Sequence, residues 1–187
     1  MRWIPVADAS SRVGLTPRGL LQALATNVRR LLAGESPYDR FVNGEPVALS
    51  SQARSGLQIF RGKGNCTACH VGPNFSDERL HNTRVAWRPS VSSSQAAAPE
   101  GWLIGHFADM GDGSGAFKTP TLREVARTGP YMHDGSLAKL EDVIEFYDRG
   151  GNRNPFLDEE LHALGLTPVE KQALLAFLRS LSGTIAR

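Results

Sequence analysis

Five consecutive residues, Cys66-Thr67-Ala68-Cys69-His70, constrain this chain more than any other part of its 187 residues. Two thiols separated by two residues, with a histidine directly after the second, form the attachment motif of a c-type haem. The chemistry dictates the spacing. The thiols add across the two vinyl groups of a porphyrin, so both sulfurs must reach one flat ring. The adjoining histidine then falls under the iron and offers it an imidazole nitrogen. A bare pair of cysteines at this spacing would also suit a zinc site or a redox dithiol. A zinc site needs two more ligands, and Cys66 and Cys69 are the only cysteines. A thioredoxin-like dithiol needs a strand–helix–strand context, which the flanking sequence lacks. The motif predicts one covalent haem c on Cys66 and Cys69, with His70 as the proximal iron ligand.

The rest of the chain reads as helices joined by irregular segments. Leu20, Leu21, Leu24, Val28, Leu31 and Leu32 recur at helical spacing, which predicts a helix over residues 18–33 stopped by Gly34. Pro37 and Gly44-Glu45-Pro46 then mark a loop. Ser50 is an N-cap for a helix carrying Leu57, Ile59 and Phe60, which ends near Gly62 and Gly64. Residues 71–117 carry few regular signals and include Pro73, Pro89, Pro99 and the run Ser92-Ser93-Ser94-Gln95-Ala96-Ala97-Ala98. So long a stretch suits a chain that wraps a large apolar cofactor and uses it as core. Residues 120–128 read as a short helix after Pro120. Ser136 is expected to cap a helix with Leu137, Leu140, Val143, Ile144 and Tyr147 on one face, stopped by Gly150 and Gly151. The last helix has the clearest start, a capping box of Thr167 and Glu170 with Pro168 at the first position. Leu174, Leu175, Phe177, Leu178 and Leu181 form its apolar side. With no strand pattern and no repeat, the fold class is all-α: a cytochrome c-like haem domain with long irregular loops around the haem.

Charge and hydropathy narrow the function. The net charge is +2 with no block of like sign, so nothing marks a nucleic-acid partner. No apolar run reaches the roughly 18 residues of a membrane span. The N-terminal Met1-Arg2-Trp3-Ile4-Pro5-Val6 lacks the apolar stretch of a secretory signal. Covalent haem c is attached on the oxidising, exported side of a membrane. The expected location is therefore periplasmic, with a start upstream of Met1 or with this chain as a piece of a longer one.

The iron's sixth position decides the chemistry. Methionine there raises the potential and favours electron transfer, tyrosine stabilises oxidised iron, and an empty site admits peroxide. Met132, His133, Met110, His81, His106 and Tyr147 are the candidates. His162 lies on a polar segment and reads as surface. Tyr147 shares the apolar face of its helix, so its phenol points inward and needs a partner. On these grounds it is either a core tyrosine or an iron ligand. Pro73 lies where a nearby backbone carbonyl would fix the second nitrogen of His70, or where the chain simply turns.

A series of segments in one order resembles the bacterial di-haem cytochrome c peroxidases, including the MauG type. They are Ser36-Pro37-Tyr38-Asp39-Arg40, residues 56–60 and 66–75, His81-Asn82-Thr83 and residues 115–123. Residues 128–136 and 146–151 complete the series. The resemblance runs from about Leu31 to Leu181. It implies that 31–187 is the second, C-terminal haem domain of that family, and that 1–30 is an N-terminal arm and helix, a remnant or linker. It implies Tyr147 as the distal, redox-tuning ligand, where standard members carry methionine. No residue is assigned as certainly catalytic. It further implies calcium held by the backbone carbonyls of Thr128 and Pro130. Gly56 and Phe60 resemble the helix that crosses the C-terminal helix, where glycine permits close approach. As an enzyme the complete protein would reduce hydrogen peroxide, with electrons relayed through this haem from a donor such as a small cytochrome or cupredoxin. The family's first haem domain, which binds peroxide, has no counterpart in residues 1–17. The alternatives are a stand-alone mono-haem electron carrier without catalysis and an inert remnant.

Overall fold

The computed structural model describes residues 16–29, 33–83, 85, 116–152 and 157–185. Thr16 accepts the Gly19 amide through its hydroxyl, and Pro17 begins α1 (Pro17–Arg29). The described helix runs to Arg29, and the expected helical positions Leu31 and Leu32 lie outside the described residues. Ala33–Gly34 instead form β1, which pairs antiparallel with β4 (Thr184–Ile185). The leucine stripe of α1 is not packed as its spacing implies, since Leu20, Leu21, Leu24 and Val28 are all more than half exposed.

The segment expected to be a loop after Pro37 contains a short helix, α2 (Pro37–Val42). Ser36 and Asp39 form a reciprocal capping box, with proline at the first helical position. Two of the orphan amides at this helix start are thereby satisfied, which stabilises even six residues. Ser50 caps α3 (Ser51–Arg61) by accepting from the Ala53 amide, as its position predicts. Residues 120–128 yield only a 3-10 turn at Val125–Arg127.

The helix expected from Ser136 begins at Leu140 as α4 (Leu140–Asp148), with no side-chain cap. Tyr131 and Leu137 exchange backbone hydrogen bonds, so Leu137 is committed to a bridge rather than to a helix. Ser136 donates its amide to Asp134 within that turn. Gly150 and Gly151 end α4 at φ +83° and +71°. A side chain at Gly150 would meet the backbone of His162 and Ala163 as well. The last helix, α5 (Pro168–Arg179), has the expected Thr167–Glu170 capping box. A second pair of two-residue strands, β2 (Leu80–His81) and β3 (Phe117–Lys118), was not signalled by any alternation.

α3 and α5 make the closest helix contact and form the centre of the core. Gly56 lets them touch, because an added Cβ would run into the Ala173 carbonyl and the Phe177 Cβ. Around them Tyr38, Phe60, Phe75 and Phe177 form an edge-to-face cluster with ring centroids 5.0–6.2 Å apart. Phe75 belongs to the loop after the attachment motif, so the core reaches directly behind that motif. Among the described residues no helix is long and apolar enough to cross a membrane.

Candidate haem site

The attachment motif is a single tight turn. Asn65 enters it at φ +48°, Cys66–Ala68 form a 3-10 turn, and the His70 amide donates to the Cys66 carbonyl at 2.9 Å. Gly64 is buried just ahead, and its amide bonds Ile59 at the end of α3. The turn is anchored on its other side by Asn65, whose amide group donates to Glu160.

Burial pushes the Cys66 thiol up to about 12, despite a backbone hydrogen bond that lowers it. Cys69 rises to about 11, first through burial and then through the carboxylates of Asp158, Asp77 and Glu160. A redox-active dithiol needs its thiol pKa depressed, so this folded pair is unsuited to disulfide exchange.

His70 leaves one ring nitrogen with a free lone pair. Its Nδ1 lies 2.8 Å from the Phe75 carbonyl oxygen. A carbonyl only accepts, so Nδ1 carries the proton and Nε2 keeps its lone pair. Burial lowers the His70 pKa, partly opposed by that hydrogen bond, which favours the neutral ring a metal needs. The carbonyl comes from Phe75 and not from Pro73, whose own carbonyl accepts from Arg123 Nε at 2.8 Å.

Tyr147 is placed by its neighbours. Phe146 is almost fully buried, and Asp148 accepts the Leu166 amide and pairs with Lys171 of α5, both at 2.7 Å. Tyr147 is thereby held where Cys66 and Cys69 are near enough to act on its ionisation. Burial first, and then the two cysteines, raise its pKa to about 12. Its hydroxyl has no hydrogen-bond partner among the described residues.

The other ligand candidates have these surroundings. His133 stacks on Phe117 at 3.8 Å between centroids, and its ring is exposed. Met132 lies in the turn before it at φ +69°. His162 is exposed, as expected, and His106 and Met110 lie outside the described residues. Thr128 and Pro130 sit on the surface, and neither carbonyl accepts a hydrogen bond among the described residues.

His81 serves another purpose. Nδ1 is 2.6 Å from Asp158 and Nε2 is 2.8 Å from Asp77. Two carboxylates accept from both nitrogens, so the ring is an imidazolium. Cys69, Asp77 and His81 approach within 4.8 Å, but both imidazole nitrogens are occupied, which leaves no ligand set for a cation. Sequence reasoning missed this clamp, because Asp158 lies far along the chain. Burial opposes the charge on His81, but the bonds to Asp77 and Asp158 outweigh it and raise its pKa. Those to His81 likewise outweigh burial at Asp77 and depress its carboxyl well below the ordinary range.

The sign of the pH dependence follows. The His81 contribution is complete below its unfolded pKa of about 6.5 and is lost as pH rises through the raised folded value. The Asp77 contribution is complete above about 3.9 and is lost as pH falls through its depressed value. The clamp is expected to be strongest between about pH 4 and 6.5. Charge-assisted bonds contribute about 1.5–3 kcal/mol, and each 1 kcal/mol moves Tm by about 2–4 °C at this size. Melting from pH 5 to 9 should therefore show a decline of several degrees in the native chain that His81→Gln lacks. Parallel curves for the two proteins would exclude the clamp.

Known proteins share this arrangement of sequence and fold. No family model matches the chain. The cytochrome-c peroxidase IdrP2 of Denitromonas iodatirespirans is 41% identical over 174 residues, covering 83% of this chain and 46% of the relative. The methylamine utilization protein MauG of Methylorubrum extorquens is 35% identical, covering 88% of this chain and 44% of its own length. The crystal structure of a MauG-like protein associated with microbial copper homeostasis superposes with a TM-score of 0.70 at 28% identity. That match covers 95% of this chain and 61% of the other. The chain thus spans less than half the length of these two curated relatives. With its attachment motif, its helical fold and this identity along most of its length, the chain belongs to the bacterial cytochrome c peroxidase and MauG family of haem proteins.

Proposed function

We propose that this chain is the C-terminal haem domain, residues 31–187, of a peroxide-reducing oxidoreductase. The observation that carries the reading is the pairing of His70, whose Nδ1 is committed to Phe75, with a Tyr147 phenol near both attachment cysteines. This donor set fits a covalent haem c: two thiols for the vinyl groups, one neutral imidazole and one unpartnered phenol. When bound, the haem would supply one-electron redox chemistry and, in the complete protein, electrons for the reduction of peroxide.

The chain's own residues set the terms of that chemistry. Cys66 and Cys69 would hold the ring, and His70 would offer Nε2 to its iron. Tyr147 would offer its oxygen, whose proton must leave for it to donate as a phenolate. An anionic oxygen donor favours the oxidised state, which suits storage of oxidising equivalents better than simple electron carriage. Electrons would come from a donor protein such as a small cytochrome or cupredoxin, in the periplasm. A further haem domain, matching the unspanned half of the relatives, would bind the peroxide.

The test is maturation in a host that attaches haem c. The native chain should carry haem through a denaturing gel, and Cys66→Ala with Cys69→Ala should carry none and lose its sharp thermal transition. A native chain without covalent haem would defeat the reading. Joined to a peroxide-binding domain of the family, the native chain should support reduction of hydrogen peroxide by a reduced cytochrome.

The carbonyls of Thr128 and Pro130 form half a calcium site in this proposal. Calcium takes about 6–8 oxygens, so two exposed carbonyls should bind it only weakly. Calorimetry of the isolated chain should show no stoichiometric calcium binding at micromolar concentrations. Tight one-to-one binding would mean that the chain holds a complete site.

A further inference from the structure

The donor strength of His70 depends on where the Phe75 carbonyl points. Phe75 has φ +52°, a left-handed conformation that a non-glycine residue adopts only when its surroundings impose it. Its ring goes into the core, and its carbonyl turns to His70. Besides the loop's own backbone bonds from the Phe75, Ser76 and Asp77 amides, the residues that hold it lie in the sequence Thr119-Pro120-Thr121-Leu122-Arg123. Ser76 donates its hydroxyl to the Thr119 carbonyl at 2.7 Å, and Thr121 donates its own to the Asn74 carbonyl at 2.6 Å. Arg123 Nε donates to the Pro73 carbonyl at 2.8 Å. Residues 119, 121 and 123 therefore each grip the loop, on both sides of Phe75.

Arg123 makes the most contacts of the three. Its Nη1 donates to both Asp39 oxygens at 2.7 Å, and its guanidinium lies 5.5 Å from the centroid of the Phe75 ring. The Arg123 and Asp39 side chains are only 12% and 19% exposed, so this is a shielded pair rather than a surface one. Asp39 is itself fixed by the α2 capping box with Ser36. Burial works to raise the Asp39 carboxyl, but the bonds from Arg123 and Ser36 outweigh it and keep it ionised. One planar fork thus ties α2, the loop carbonyl and the face of Phe75 together, a combination an ammonium group does not offer.

We propose that Arg123, oriented by Asp39, is a positioning residue for the proximal histidine. It holds the Phe75 carbonyl on His70 Nδ1 and so sets the electron donation of His70 to the iron. This rests on the proposed ligation by His70. Losing the hydrogen bond makes the imidazole a weaker donor, which destabilises ferric iron and raises the potential.

The experiment is a dye-mediated one-electron titration of the haem-loaded chain, with thermal melting alongside. At the native midpoint potential, Arg123→Gln should shift the reduced-to-oxidised ratio from one to about ten, equivalent to about 59 mV. Thr121→Val should shift it in the same direction by less, while keeping the Arg123–Asp39 pair. Arg123→Lys should recover most of the melting temperature but not the potential. Arg179→Gln, which removes an exposed pair with Glu141, should leave the potential unchanged. Should Arg123→Gln fail to fold, Thr121→Val and Arg123→Lys still decide the matter. Loaded variants with lowered melting temperatures and the native potential would overturn the proposal, leaving Arg123 a merely structural residue. Absence of covalent haem from the native chain would instead defeat the proposed function itself.

Discussion

Replacing Tyr147 by phenylalanine is expected to open the distal side of the haem and change its visible and paramagnetic resonance spectra at once. The substitution removes one oxygen and keeps the ring, so packing beside the buried Phe146 should survive. Burial and the nearby cysteines lift the phenol to about 12, so without a positive partner it stays protonated at neutral pH. A ferric iron in reach favours the phenolate, as a bound metal does for its other acidic ligands. The variant should bind cyanide and react with peroxide faster than the native chain. Tyr147→Met should move the potential upward, toward values suited to electron carriage. Unchanged spectra in Tyr147→Phe would make Tyr147 a core residue only and favour the electron-carrier reading, with Met132 the next ligand to test.

Gly56→Ala should cost the domain about 3 kcal/mol or more, at the upper end for overpacking. The reason is local to the α3–α5 contact. The new methyl group would meet the Ala173 carbonyl, a backbone atom that cannot rotate away, and the Phe177 Cβ at 2.8 Å. Relief requires the helices to part, which opens the aromatic cluster around a Phe177 that is now fully buried. At about 2–4 °C for each 1 kcal/mol, Tm should fall by roughly 10 °C. A variant melting within two degrees of the native chain, on the order of measurement error, would mean that the crossing is looser than described.

What the sequence makes legible is whatever is written in neighbouring residues. The attachment motif, the Ser50 cap, the Thr167–Glu170 box and the paired stop at Gly150 and Gly151 each occupy a few consecutive positions. The capping box at Ser36 and Asp39 is written the same way, with proline between them. It was legible too, yet Pro37 reads as a loop signal when its role at a helix start is overlooked. Other features depend on distant partners. His81 has both nitrogens bound by residues 4 and 77 positions away, so its charge state has no local signature. The Arg123–Asp39 pair spans 84 positions. The late start of α4 has a subtler cause, because the bridge between Tyr131 and Leu137 claims backbone groups that the apolar spacing had assigned to the helix. The leucine stripe of α1 shows the converse: its spacing gives a helix, but spacing alone does not give a partner.

The closure of α5 on α3 also has a consequence in time. The attachment motif directly follows α3, whereas α5 begins only at Pro168. A chain emerging in order presents Cys66 and Cys69 about a hundred residues before the helix that completes the core. In the folded chain the thiols stand at about 12 and 11, and a protonated thiol is a poor nucleophile. Thioether formation is therefore expected to run faster on the open chain, and haem offered to a chain whose core has already closed should attach more slowly.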